Sequence, residues 1–224
     1  MLYLNNVSYH PPATLTPILR EINLELAPQA LALIIGPSGS GKTTLLEILA
    51  GLAEPTQGTI LWGDQVLTPL HLQQLAGLVF QFPERHFCGS TLLEELRLGH
   101  PELGSEQLRQ ALLEVGLEQI DWQTAPYALS GGQQRRLALA VQLIRQPNLL
   151  LLDEPTAGLD WSMRRQLVKL LAKLKEHWTL LVVSHDPKEL VQIADYGWRI
   201  DQGHLTPCEP QSLLPTLEAQ IPCP

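Results

Sequence analysis

The chain has 224 residues, of which 45% are hydrophobic and 17% charged, and a formal net charge of −8. That length suits one compact unit with a sizeable core, and the composition excludes a disordered chain. The acidic balance argues against a general nucleic-acid binder, the scattered Cys88, Cys208 and Cys223 against a disulfide or zinc framework, and the short apolar runs fall far below the roughly 18 residues that span a bilayer.

In chain order, residues from Leu2 to Leu26 alternate in strand fashion and predict a small antiparallel β-part. Met1-Leu2-Tyr3-Leu4 passes directly into that pattern without a secretory signal, so a reduced, cytosolic setting is expected. Leu31 to Ile35 is a continuous apolar run and predicts a buried strand. Gly36-Pro37-Ser38-Gly39-Ser40-Gly41-Lys42-Thr43 follows it and fits the pattern G-x-x-x-x-G-K-S/T. Thr44 to Ala50 then predicts a helix ended by Gly51. Strand, glycine-rich loop and helix in that order form a phosphate cradle, because backbone N–H groups and the positive end of the helix dipole converge on one point. Lys42 is expected to neutralise β- and γ-phosphates and the Thr43 hydroxyl to sit on Mg²⁺, with Thr44 also among the nucleotide contacts. The competing reading, a flexible Gly/Ser turn with an incidental lysine, does not account for the flanking strand and helix.

Leu78-Val79-Phe80 ends at Gln81 and leads into Phe82-Pro83-Glu84-Arg85-His86-Phe87. Residues 83–146 are helix-rich, with breaks at Gly99-His100-Pro101 and Gly116. Within them, Ser105 and Glu106 followed by Leu108, Leu112, Leu113 and Val115 predict a capped amphipathic helix. In Leu129-Ser130-Gly131-Gly132-Gln133, Ser130 is a good N-cap and Gly131 opens a helical run reaching Ile144. Paired glycines at a helix N-terminus make a second anion site, and one ATP needs only one phosphate loop, so this one should serve a different phosphate contact. Leu149 to Leu152 predicts an interior parallel strand ending in Asp153-Glu154. Ligands bind beyond the carboxyl ends of such strands, which brings both acids to the edge that carries the phosphate loop. Adjacent strand residues face opposite ways, so the acids divide the work: Asp153 in the Mg²⁺ shell, Glu154 polarising the attacking water. An acid-rich helix N-terminus, which Pro155 would suit, is the alternative. Leu180 to Ser184 predicts another strand, ended by His185, and a proline-rich tail after Gly203 holds only a short Leu213-to-Leu217 run.

These motifs in this order resemble the nucleotide-binding subunit of ABC transporters over nearly the whole chain. The resemblance implies an α/β fold, an ABC-type P-loop ATPase cassette with a mostly parallel core sheet, a small antiparallel β-part and a helical subdomain. It divides the single domain into a nucleotide-binding core (residues 1–82 and 147–204), a helical signature subdomain (83–146) and a short tail (205–224). It implies ATP and Mg²⁺ as cofactors and a homodimer, or a heterodimer with a related ATPase. Ser130, Gly131, Gly132 and Gln133 would then serve the γ-phosphate held by the opposite subunit, and Asp160, in Ala157-Gly158-Leu159-Asp160, would cross the dimer interface. Gln81 would be the Q-loop residue beside the metal, and His185 the switch histidine acting with Glu154 and Lys42. Tyr9 is the aromatic placed to stack on adenine, with Tyr3 or simple core packing as alternatives.

Phe80-Gln81-Phe82-Pro83-Glu84 is similar to the ATPases of energy-coupling-factor and cobalt-type importers, above all their cyanobacterial and plastid branch. This implies a transmembrane coupling subunit docking on an exposed Phe82/Phe87 pair beside Pro83, on a cytoplasmic ATPase peripheral to the inner membrane face. Two departures stand out: His86 replaces the glutamine of many members, and many carry a longer C-terminal extension that helps the ATPases pair. The rival reading is a soluble ABC-type ATPase not coupled to transport, such as an iron–sulfur cluster assembly ATPase.

Overall fold

The computed structural model describes residues 1–12 and 14–214; Cys223 and the end of the Leu213-to-Leu217 run lie outside the described residues. Two sheets organise the chain. The first is antiparallel, with strand order β2-β1-β4-β5, formed by β1 (Leu2–Tyr9), β2 (Leu19–Leu26), β4 (Gln57–Trp62) and β5 (Gln65–Val66). The second has the order β10-β9-β3-β8-β7-β6. Its members are β3 (Leu31–Ile35), β6 (Ala76–Val79), β7 (Leu149–Asp153), β8 (Thr179–Ser184), β9 (Tyr196–Asp201) and β10 (His204–Cys208). All its pairings are parallel except β9 with β10.

The antiparallel part is therefore larger than the Leu2-to-Leu26 segment predicted. Strand β4 adds to β1 because it buries one face only: Ile60 is buried while Gln57, Gly58 and Thr59 are exposed, which suits a sheet with one wet face. The segment after Gly203 also differs from the expected tail. Gly203, at φ 82°, turns the chain into β10, and a Cβ there would lie 2.5 Å from the Ile18 carbonyl oxygen. Pro207 is tolerated in β10 because this is an edge strand, where a missing N–H costs no internal ladder bond.

Period-two alternation along the parallel strands feeds two cores. Leu31, Leu33, Leu150, Leu152, Leu180 and Val182 pack toward helices α4 (Ser105–Glu114), α5 (Gly131–Leu143) and α6 (Trp161–Leu174). Ala32, Ile34, Leu149, Leu151, Leu181 and Val183 face α1 (Lys42–Leu49) and the antiparallel sheet. A sheet covered on both faces needs strands that are apolar throughout, which is why β3, β7 and β8 are uninterrupted apolar runs. Two short helices, α2 (Pro69–Leu75) and α3 (Leu92–Arg97), flank β6 and the loop after it. In α4 the cap sits one residue earlier than predicted: Gly104 is the N-cap, its N–H donating to Gln107 Oε1 at 3.0 Å, and Leu113 is exposed.

Leu151 is fully buried between the sheet and α1. Leu151→Ala should cost about 2–5 kcal/mol in urea unfolding, the removed methyl groups and the remaining cavity both contributing. A loss below about 1 kcal/mol would show that the surrounding layers collapse onto the gap.

Candidate active site

The phosphate loop leaves β3 at Gly36, where no side chain fits: a Cβ would lie 2.2 Å from the Ile200 carbonyl oxygen of β9. Helix α1 starts at Lys42, two residues earlier than the sequence predicted, because left-handed Gly41 (φ 104°) takes the N-cap position. The Lys42, Thr43 and Thr44 N–H groups thus belong to the first turn, whose donors have no intrahelical acceptor and point back at the loop. Lys42 is buried, its Nζ donating to the Gly36 and Pro37 carbonyls at 2.8 and 2.9 Å, so its charge is held inside the loop. The buried Ser40 Oγ has no hydrogen-bond partner among the described residues.

Strand register sets what faces this loop. Ile35 pairs with Ser184 across β3–β8, and Asp153 pairs with Val183 across β7–β8. Thr43 Oγ1 consequently donates to Asp153 Oδ2 at 2.8 Å. Burial raises the Asp153 pKa above the ordinary carboxylate value, and nearby Glu154 pushes the same way, while the Thr43 hydrogen bond and the Lys42 charge oppose. A hydroxyl and a carboxylate whose ionised form lacks solvation are hard oxygen donors of the kind Mg²⁺ takes, so these residues fit that ion.

Glu154 leaves strand geometry, with φ 47°, a conformation that non-glycine residues adopt at a cost. Its N–H donates to Val183 and its carbonyl accepts from Ala157 N–H, both at 3.0 Å. This is a turn; α6 begins only at Trp161, which rules out the acid-rich helix N-terminus. The buried Glu154 carboxylate holds His185 Nδ1 at 2.7 Å on one oxygen and accepts from Ser184 Oγ at 3.0 Å on the other. The His185 side chain is 60% exposed, so a carboxylate fixed from inside presents an imidazole at the surface. Ser184, fully buried, went unrecognised in the sequence, where only its place between an apolar strand and His185 marked it. Its Oγ also accepts from Asp186 N–H at 3.1 Å. Arg164 Nη1 meets Asp186 Oδ2 at 2.7 Å and its Nε donates to the Leu159 carbonyl at 3.0 Å, tying the turn after Glu154 to the turn after β8. Desolvation pushes the Asp186 carboxyl up, but the Arg164 hydrogen bond with the Lys188, Arg164 and His185 charges outweighs it and holds the group below its ordinary value.

The Ser130–Gln133 segment forms the expected cap: Gln133 N–H donates to Ser130 Oγ at 3.3 Å and Ser130 N–H to Gln133 Oε1 at 2.9 Å. Ser130 and Gly131 are exposed, Gly131 has open space where a Cβ would stand, and Gly132 rests on Met163. Among the described residues no hydrogen bond joins this segment to the phosphate loop. Asp160 is exposed and caps α6 through Met163 N–H at 2.9 Å, a local role the sequence had not shown. Gln81 is exposed, and no side-chain hydrogen bond among the described residues brings it to Thr43 and Asp153. Tyr9 is half-buried against the core under the antiparallel sheet and pairs with Leu19, the residue that a Cβ on Gly41 would strike.

Phe82 and Phe87 do not form the exposed pair that the sequence predicts, since both are half-buried. Phe82, left-handed at φ 54°, turns inward and lies between the guanidinium groups of Arg85 and Arg135, at 4.9 and 5.4 Å. Pro83 is buried, and half-buried Phe87 lines an apolar cleft of about 180 Å³ with Leu78, Phe80, Pro83, His86 and Val141.

Residues 19–157 match the family model described as ABC transporter. The chain belongs to the ABC transporter family. It is 46% identical over 214 residues to ABC transporter I family member 11, chloroplastic, of Arabidopsis thaliana, covering 88% of this chain and 77% of that one. It is 37% identical over 218 residues to the energy-coupling factor transporter ATP-binding protein EcfA2 of Lactococcus lactis, covering 91% and 76%. Among solved structures, cbiO1 from Clostridium perfringens, part of the ABC transporter complex cbiONQ, superposes with a TM-score of 0.87 at 25% identity, over 95% of this chain and 89% of that one. A dimeric ATP-binding cassette in a post-hydrolysis state bound to ADP and Pi gives 0.78 at 28% identity, over 93% and 98%. The ABC ATPase cassette fold is thus established, with its mostly parallel sheet, antiparallel sheet and packed helices.

Because its folded pKa lies below the unfolded one, Asp186 contributes stability that is present above the unfolded pKa and lost as pH falls through the folded value. Asp186→Asn should cost about 1 kcal/mol at neutral pH, and the gap to the unaltered chain should close in the acid range. A difference that stays constant with pH in urea unfolding would remove the ionic contribution from Asp186.

Proposed function

We propose that this chain is the ATP-hydrolysing nucleotide-binding subunit of a membrane transporter, an importer of the energy-coupling-factor or cobalt type that takes up a metal ion or vitamin. The contact carrying this reading is the 2.7 Å pair of buried Glu154 and exposed His185 on the sheet edge that also holds the phosphate loop. Two ATPases, either copies of this chain or one copy with a related subunit, close on two nucleotides. Nothing in the site favours the soluble iron–sulfur assembly alternative.

In this reading Lys42 and the first N–H groups of α1 bind the phosphates, with Gly36 to Gly41 giving the backbone room to approach and Tyr9 stacking on adenine. Thr43 and Asp153, joined by Gln81 once it turns toward them, would hold Mg²⁺, which when bound would neutralise phosphate charge. Glu154 orients and polarises the attacking water, its free rotation removed by Ser184 and His185. Such fixed groups need no rearrangement as charge develops on the transferred phosphoryl group. Ser130, Gly131, Gly132 and Gln133 complete the other copy's site across the interface, with Asp160 beside them. The chain has no helix, among the described residues, long and apolar enough to cross a membrane. A transmembrane coupling subunit docks on this chain at the cytoplasmic membrane face, and the cleft lined by Phe80, Pro83 and Phe87 is its seat.

Glu154→Gln should keep ATP affinity while hydrolysis falls roughly a hundredfold or more; turnover near the unaltered rate would reassign the group acting on water. Lys42→Ala should lose nucleotide affinity along with activity, and unchanged binding by fluorescence titration would overturn the phosphate-loop assignment. Purified from native membranes in mild detergent, the chain should bring a small transmembrane protein with it. Recovery of soluble partners alone would move the function out of transport.

A further inference from the structure

We infer that Arg135 is a positioning residue that joins the docking loop at Phe82–Glu84 to the turn carrying Glu154, so that a partner on the loop sets the geometry of hydrolysis. The inference rests on the ATPase reading above and adds a residue to it.

Arg135 lies in the second turn of α5 and is 4% exposed. Its Nη2 donates to the Ala157 carbonyl at 2.8 Å, and Ala157 N–H donates to the Glu154 carbonyl at 3.0 Å. One guanidinium thus fixes the turn that aims the carboxylate. Its other arm reaches the docking loop without closing on it: Nη1 has no hydrogen-bond partner among the described residues and stands 4.0 Å from Glu84 Oε2. A buried guanidinium nitrogen left without an acceptor is costly, and a small movement of Glu84 would relieve it.

Phe82 makes the same connection through packing. Its ring lies 5.4 Å from the Arg135 guanidinium and rests against Gly158, where a Cβ would come within 3.4 Å of Phe82 Cε1. To do this the residue holds φ 54°, a conformation uncommon for a bulky aromatic. Strain at such a position persists only where its surroundings enforce it. Phe82 therefore packs on both the Arg135 guanidinium and the Gly158 backbone. Burial lowers the Arg135 pKa and Glu84 opposes that shift, consistent with a charge whose acidic partner stands close but is not fully engaged. A ligand of the loop that draws Glu84 onto Nη1 would shift the guanidinium, and with it the Ala157–Glu154 turn. A planar five-donor group is needed, since lysine cannot bond Ala157, face Glu84 and stack on Phe82 at once.

The test is steady-state ATP hydrolysis by the purified full chain, alongside nucleotide affinity by fluorescence titration with an ATP analogue. Arg135→Lys should lower kcat roughly tenfold or more, since small misplacements of a reacting group are expensive, while KM and nucleotide affinity stay within about twofold. In the complex co-purified from membranes, Glu84→Gln alone should lower kcat about threefold, and adding it to Arg135→Lys should lower kcat no further. Unaltered kcat in Arg135→Lys would overturn the inference, as would equal losses of kcat and affinity, the mark of general damage. Should Arg135→Lys not fold, Glu84→Gln decides, measured in the complex co-purified from membranes: reduced kcat at constant affinity supports the link, and unaltered kcat there overturns it. An unaltered chain that hydrolysed no ATP even when co-purified with its native ATPase partner would sink the ATPase reading and this inference together, whereas normal hydrolysis in both variants would sink the inference alone.

Discussion

Everything in this site depends on the register of three parallel strands. Because Ile35 stands opposite Ser184 and Asp153 opposite Val183, β3, β8 and β7 end at one level, and their loops open side by side. A slip of one residue would turn Asp153 to the wrong face and send the apolar partners of both cores into the wrong layers. The leucine, isoleucine and valine runs that make the strands buried on both faces therefore also hold Thr43 and Asp153 at 2.8 Å. Packing and chemistry share one cause.

The edge concentrates charge where water is scarce, and each charge has a defined holder. Lys42 rests on its own loop carbonyls, Asp153 on Thr43, and Glu154 on Ser184 and His185. A buried unpaired charge costs several kcal/mol, on the order of the net stability of a domain, so these contacts are required before any nucleotide arrives. Second to them is the clamp on the turn after β7: Arg164 holds Leu159 and Asp186, and Arg135 holds Ala157. Among the described residues the Ser130 and Gln133 side chains bond to each other's backbone N–H, and Ser130 and Gly131 are open to solvent. Among the described residues, one chain thus offers a phosphate loop with its acids, and separately an exposed helix N-terminus that no hydrogen bond joins to that loop. In the proposed function a second ATPase, arranged head to tail, satisfies both.

Much of this was legible in the sequence, for physical reasons. The β3 loop, the β7 acids and the Ser130 cap are local: each needs only a short apolar run, a turn residue or a cap, and adjacent residues specify them. What stayed hidden depends on contacts distant in sequence. Strand β4 has too few buried positions to announce itself, and it forms because β1 offers a partner. Strand β10 carries a proline that reads as tail until its edge position is known. Phe82 looked like an exposed docking aromatic because a sequence does not reveal a positive φ, and that one dihedral turns the ring onto Arg135 and Gly158. Ser184 was passed over because a serine closing a strand is ordinary until a buried carboxylate lies 3.0 Å away.

The central claim is that each hydrolytic site is built from two polypeptides. Mixing chains bearing Lys42→Ala with chains bearing Ser130→Tyr tests it directly, since each preparation alone lacks one half of every site. Measured as single-turnover hydrolysis of bound ATP, the mixture should regain activity, because a mixed pair contains one site with an intact phosphate loop facing an intact signature. If the unaltered chain hydrolyses ATP by itself and the mixture stays as inactive as its components at every ratio, the loop and the signature do not meet across an interface, and the two-chain site is wrong.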